Sequence, residues 1–194
     1  FDFAVVVANS SDEDADIVVT RGGVDAAHET APAHGLVKVF LPWVEDLKSS
    51  VSIFPGCPTN VKTSTVAAPG GAYHLTSSRP VAVYQFNAIE YAGKGGPPGK
   101  DWATICTQQN CPVASIGCFS YTNDASLLLP STALSGTYRV AGPSAWKSED
   151  TSNPDRPTSF VYPPYFAVTG TVDGTHVTVT VSPTGRIAAG GGVP

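Results

Sequence analysis

The sequence predicts an all-β fold, an antiparallel β-sandwich-like domain, and three observations carry that prediction. Charged residues make up 14% of the 194-residue chain, while 19 Gly and 17 Pro punctuate it. Between those breakers lie short runs rich in Val, Thr, Phe and Tyr, the residue types that suit a pleated, half-buried surface and the turns joining its strands. The Glu, Lys, Leu, Arg and Met that usually clothe surface helices are scarce: Met is absent, and 11 basic residues stand against 16 acidic ones.

The elements follow in order. Phe3-Ala-Val-Val-Val-Ala-Asn9, the acidic Ser10-Ser-Asp-Glu-Asp14 and Ala15-Asp-Ile-Val-Val-Thr-Arg21 read as strand, hairpin loop and strand. Short strands bounded by Gly or Pro are expected at 35–42, 71–76 and 80–87. A single weak helical candidate spans Val44 to Ser49, with Glu45 and Asp46 near its start and Lys48 near its end, an order that suits a helix dipole. Residues 92–164 turn irregular and rich in Cys, Pro and Gly, and long loops of that kind usually carry function. Asp173-Gly174 between the alternating runs 165–172 and 175–182 is a strong hairpin signal.

The two hairpins share Phe-Ala-Val (Phe3 to Val5, Phe166 to Val168) and an acidic turn, which suggests a weak internal duplication. The expected organisation is therefore a first β unit at 1–91, an insertion at 92–164 packed on it, and the start of a second, truncated β unit at 165–194. Its missing strands are expected from the rest of the natural chain or from a second polypeptide. The first residue already lies in an apolar run and Met is absent, so a removed leader or preceding chain is also expected.

Composition narrows the partners. A net charge of -5 with no cluster of Lys and Arg argues against nucleic acid. No run approaches the roughly 20 apolar residues that cross a bilayer, so direct membrane insertion is not expected. Cys57, Cys106, Cys111 and Cys118 are even in number, and the last three crowd into the irregular stretch. Their spacings do not repeat a C-x2-C knuckle and no His lies among the last three, so disulfides in an oxidising, extracellular compartment are preferred to zinc, with all three pairings open.

Tyr73-His-Leu-Thr-Ser-Ser-Arg-Pro-Val-Ala-Val-Tyr-Gln-Phe-Asn87, then Tyr121-Thr-Asn-Asp-Ala-Ser-Leu-Leu-Leu-Pro130, then Phe166-Ala-Val-Thr-Gly-Thr171 resemble the IgGFc-binding protein N-terminal domain family, whose bacterial members look like this chain. The resemblance implies a secreted or surface-displayed domain engaged in adhesion and in mucus-type or matrix interactions, with no catalytic residues.

Candidate sites are few. Tyr84, Gln85, Asn87 and Glu90 mix polar groups with aromatic faces, as recognition surfaces do, and Asn123 and Asp124 join them as ligand-binding candidates. Strict alternation would turn Tyr84 and Phe86 one way and Gln85 and Asn87 the other. The bland account of Asn123 and Asp124 is an Asx-turn before Leu127. Asp12, Glu13, Asp14 and Asp16 form an acidic cluster able to offer calcium several oxygens, though without EF-hand spacing; solvated charges at a hairpin tip are the plainer reading. No cofactor other than calcium is suggested. Asn9-Ser10-Ser11 matches a glycosylation sequon in an expected loop.

His28, His34, His74 and His176 lack metal-ligand spacing, and Gly142-Pro-Ser-Ala-Trp146 is no nucleophile elbow. Glu90, Asp101 and Asp124 could serve a glycosidase only if folding brought two of them together. The reading is a non-enzymatic extracellular binding or adhesion module with a protein or glycan ligand. A structural spacer of a surface protein and a cryptic hydrolase acting on glycans or peptides are the alternatives.

Overall fold

The structure is a computed structural model and describes residues 2–48, 62, 64–89, 96–102, 123–150 and 158–193. All four cysteines and Glu90 lie outside the described residues, so the expected disulfides and that candidate ligand residue do too. The chain divides into two compact units: Phe1–Leu129 with Thr178–Pro194, and Pro130–Val177.

The first unit is built from seven strands: β1 (Phe3–Asn9), β2 (Ala15–Arg21), β3 (Val24–Ala31), β4 (Leu36–Leu41), β5 (Tyr73–Ser77), β6 (Val81–Phe86) and β7 (Ala125–Leu128). They form two antiparallel sheets. The first has the order β4-β1-β6-β7 and the second β3-β2-β5. Period-two alternation sends Val5 and Val7 of β1 and Val39 and Leu41 of β4 inward, where they meet Ala15, Ile17 and Val19 of β2 and Ala31 of β3 in one buried cluster. Each such valine or isoleucine withdrawn from water stabilises the fold by about 1.5–3 kcal/mol, which makes this shared core the main reason the sheets face each other. Phe3, Trp43 and Tyr73 close one end of the core, with ring centroids 5.7 and 6.2 Å from Phe3. Arg21 lies over Tyr73 at 5.6 Å, and the Tyr73 hydroxyl donates to the Pro42 carbonyl at 2.6 Å.

The expected hairpin between β1 and β2 does not form, because the two strands belong to different sheets. The cause is Asn9. Its buried side chain donates through Nδ2 to the carbonyls of Glu13 (2.8 Å), Ala31 (3.0 Å) and Pro32 (3.2 Å). Its Oδ1 accepts from the Ser11 amide (3.0 Å) and hydroxyl (2.7 Å). The chain is thus turned across the sandwich at residues 10–14 instead of folding back beside β1. The true hairpin partner of β2 is β3, joined at Gly22 (φ 57°) and Gly23 (φ 78°). Two positive φ values suit the primed two-residue turn that matches strand twist, and Gly22 also approaches Gly70 so closely that a Cβ would lie 3.3 Å from its carbonyl oxygen.

The short helix expected at 44–49 is only a turn, with Leu47 and Lys48 amides bonded to the carbonyls of Val44 and Glu45. Of the second expected hairpin the turn is present: Gly174 has φ 74° and the Thr175 amide donates to Val172 at 3.3 Å. Residues 163–170 and 175–182 have no ladder, and an isolated two-stranded ribbon without a supporting face is marginal in water. The similarity of the two segments therefore has no pair of matching hairpins beneath it. In the second unit, β8 (Trp146–Asp150) pairs with β9 (Thr158–Tyr162), with Trp146 and Tyr162 stacked at 5.1 Å. Ser131–Ala133 form a 3-10 turn, and no helix among the described residues is long and apolar enough to cross a membrane.

Asn9 carries the nitrogen that a glycan would occupy, yet that atom is spent on three buried or half-buried carbonyls. Asn9→Ala is expected to lower unfolding free energy by about 3 kcal/mol, since it strands several polar groups at once, while Ser10→Ala stays within about 0.5 kcal/mol. Urea unfolding of the two variants measures this, and an Asn9→Ala midpoint equal to the parent's would refute the corner's structural role.

Candidate functional site

Register fixes what the first sheet shows on the side away from the core. Three cross-strand rows run over it. Leu36, Ala8 and Ala82 make the first; Lys38, Val6, Tyr84 and Leu127 the second; Phe40, Ala4, Phe86 and Ala125 the third. Lys38 is the single charge in these rows, and its ammonium sits 5.8 Å from the Phe40 ring. Leu36, Tyr84 and Leu127 are 61%, 39% and 54% exposed, which opens an apolar surface with an aromatic centre.

The outer face of the second sheet is different. Asp16 stands opposite Thr30, Val18 between His28 and Thr76, and Thr20 beside His74. Hydroxyls, imidazoles and a carboxylate suit water, so this face needs no cover. An open depression there is lined by Asp16, Val18, His28 and Thr30 among others.

One end of the apolar face is closed by the segment 96–102. Trp102 is buried and meets Phe40 edge-on at 5.6 Å, and Ala4 in the third row is wholly buried. The indole Nε1 donates to Asp2 Oδ2 at 2.7 Å, and Lys100 Nζ donates to Asp2 Oδ1 at 2.5 Å. Burial pushes the Asp2 carboxyl toward its neutral form. The hydrogen bonds from Lys100 and Trp102 and the charge of Lys100 outweigh that, and hold Asp2 below the ordinary carboxylate value. This clasp pins residues 96–102 to the start of β1.

The ligand-binding residues suggested by the sequence gather at one end of β6 and β7. Beyond the pair Phe86 and Ala125, the Asn87 amide donates to the Asp124 carbonyl at 3.3 Å, and the Asn123 side-chain amide donates to the Ala88 carbonyl at 3.0 Å. Asn123 therefore ties the segment after β6 to the start of β7, a longer-range role than the local turn expected of it. Asn87 and Asp124 are exposed. Gln85 and Tyr84 separate as alternation requires, with Tyr84 on the outer face and Gln85 opposite Val5 on the inner side. The aromatic thus faces outward and the amide inward. Glu90 lies outside the described residues.

The four acidic residues near the corner go to different partners. Asp12 holds His34 Nε2 at 2.8 Å, Glu13 pairs with Arg79, Asp14 accepts from the Ala33 amide at 2.9 Å, and Asp16 uses its backbone, its amide donating to the Ser78 hydroxyl at 2.9 Å and its carbonyl accepting from the Ser78 amide at 3.0 Å. Among the described residues no three His, Cys, Asp or Glu side chains come together as a metal site. His28 pairs with Asp25 at 3.1 Å on open surface.

Sequence reasoning found Tyr84 but missed Leu36, Lys38, Leu127 and the Trp102 clasp as parts of one surface. Only the order of strands across the sheet brings them together. The alternation within 36–41 and 81–86 was visible; the neighbour relation of β4, β1, β6 and β7 was not.

A family model described as IgGFc binding protein matches residues 124–194, less than half of the chain. No curated protein and no solved structure matches the chain.

A carboxyl held below its ordinary value stabilises the fold above about pH 4, and that contribution disappears as pH falls through the lowered value. Asp2→Asn is expected to cost on the order of 1–2 kcal/mol at neutral pH, and its thermal midpoint should fall less steeply than the parent's in acid. Thermal unfolding from neutral pH to about pH 2, followed by tryptophan emission, measures both, and superimposable acid limbs would show that Asp2 is not linked to folding.

Proposed function

We propose, with the family match over residues 124–194 as premise, that this chain is a non-enzymatic extracellular binding module whose protein ligand docks on the outer face of sheet β4-β1-β6-β7. The observation that carries the reading is the contrast between the two outer faces. One is apolar, centred on Tyr84 and nearly free of charge; the other is clothed in Thr, His and Asp. A contiguous exposed apolar patch marks an interaction surface, and an aromatic at its centre suits an interface core.

The chemistry favours a protein over a glycan. Rows of Leu, Val and Ala offer few hydrogen bonds to sugar hydroxyls, whereas they match an apolar protein surface. Lys38 at the margin would steer an acidic partner more than it would anchor one. The polar residues Asn87, Asn123 and Asp124 stand at the end of the same sheet and suit the rim of such a contact. Secretion with disulfides among Cys57, Cys106, Cys111 and Cys118 belongs to the same reading, as does a role in adhesion.

Surface plasmon resonance against immobilised immunoglobulin Fc fragment, the ligand that the family description names, and against purified mucin glycoprotein tests the assignment. Tyr84→Lys and Leu127→Lys are each expected to weaken binding at least about tenfold, or 1.4 kcal/mol, with stability changed by about 1 kcal/mol or less. Thr76→Lys on the polar face should leave binding intact. Equal losses on both faces would move the site elsewhere, and no binding to either probe would favour a spacer.

A further inference from the structure

The two sheets have four edge strands: β4 and β7 in the first, β3 and β5 in the second. An edge exposes a row of backbone donors and acceptors, and folded proteins guard such rows with charge, Pro or a bulge. β4 carries Lys38. β3 carries Asp25, His28 and Glu29, and its ladder to β2 is broken by an irregularity at Val19/Thr20. β5 carries His74 with Thr76 and Ser77. β7 is Ala-Ser-Leu-Leu, followed by Leu129; it has no charge and no Pro, and every residue in it is exposed. It is the unguarded edge of these two sheets.

The chain also carries a strand that lacks a sheet. Thr175-His-Val-Thr-Val-Thr-Val-Ser182 alternates strictly and contains no Gly, Pro or formal charge apart from His176 on protonation. It makes no ladder. Val177, Val179 and Val181, which share one face, are 54%, 45% and 43% exposed. Run and edge complement each other: backbone groups seek a ladder on both, apolar side chains need cover on both, and no like charges would be opposed.

We propose that β7 is an acceptor edge for strand addition and that its occupant is the 175–182 run of a second copy of this chain. Among the described residues, donor and acceptor are both without a ladder partner on that side, so a second copy supplies both complements. Reciprocal exchange gives a closed two-fold dimer and leaves neither template open, whereas one-sided exchange would propagate. Main-chain bonds supply the affinity, and the register is set by packing the valine face against Leu127 and Leu129 on one side of the extended sheet. A ladder of four or five residues on each side is small beside a standard interface, so the dimer dissociates in roughly the micromolar range. Leu127 belongs both to this edge and to the proposed binding face, so Val179→Pro, which lies outside that face, separates the two: it should abolish the dimer and leave ligand binding intact.

Sedimentation velocity of the chain from about 1 to 300 μM spans that range. The expected result is a weight-average mass rising toward twice the 20.0 kDa of the chain. Val179→Pro removes a ladder donor and Leu127→Lys guards the edge, and each should hold the chain monomeric while circular dichroism and thermal midpoint match the parent. Hydrogen exchange on the concentrated parent should show residues 125–129 and 175–182 gaining protection together. A monomer throughout the range overturns the proposal, as does a dimer that survives both substitutions or one whose new protection falls on β4 or β3 instead.

Discussion

The buried amide of Asn9 is the constraint on which the first unit depends. A chain leaving β1 into a loop of Ser, Asp and Glu would ordinarily fold back as a hairpin, since antiparallel neighbours close in sequence are the cheapest to pair. Three carbonyls on the Nδ2 side and two donors on the Oδ1 side fix a corner instead. β2 is thereby delivered to the facing sheet, and the valines of β1 find Ile17 and Val19 across the core rather than alongside. Everything that follows uses this: β1 keeps both of its edges for β4 and β6, and the outer face assembles around it.

That assembly explains why the two outer faces differ. β1 is central in its sheet and apolar on both sides, with Val6 and Ala8 outward as well as Val5 and Val7 inward. Both-sided apolarity belongs to strands covered on both faces. The clasp of Asp2, Lys100 and Trp102 supplies cover for the third row only, where Phe40 and Ala4 lie. Rows one and two, with Leu36, Tyr84 and Leu127, keep the chemistry of a covered surface without such a lid among the described residues. β2 is apolar inward at Ile17 and Val19 and largely polar outward at Asp16 and Thr20, and its sheet is complete as it stands.

Strand identity was legible where one face is buried. Runs 3–9, 15–21, 36–41 and 81–86 announce themselves because Val, Ile and Phe recur at every second place. β3 was not legible, since Val24-Asp-Ala-Ala-His-Glu-Thr-Ala31 is an edge strand whose core contacts come from Ala27 and Ala31. Small residues suffice where β2 and the opposite sheet already fill the space, and alanine leaves no strand signature. β7 was hidden within a stretch read as irregular, because four residues are too few for a period. Sheet membership was beyond reach for another reason: it is decided by the Asn9 corner and the Gly22-Gly23 turn, whose geometry a pattern of apolar residues does not encode. For the candidate face, the sequence showed that Tyr84 and Gln85 must part company, and only the core's position decided which turned outward.

Residues 163–182 run against the rest of the molecule. Elsewhere alternation is matched by burial, from Val5 and Val7 to Ile17 and Val19, because alternating valines gain stability only when one face leaves the water. In 175–182 the pattern is as regular as in any formed strand, yet Val177, Val179 and Val181 remain about half exposed. Local preference there points to a strand, and the missing term is a neighbour to pair with. The matched family region, 124–194, contains both this run and β7, the least guarded edge of the first unit's two sheets. A sequence whose local choices agree with its fold has little frustration; here two complementary segments disagree, and joining them removes the conflict from both at once.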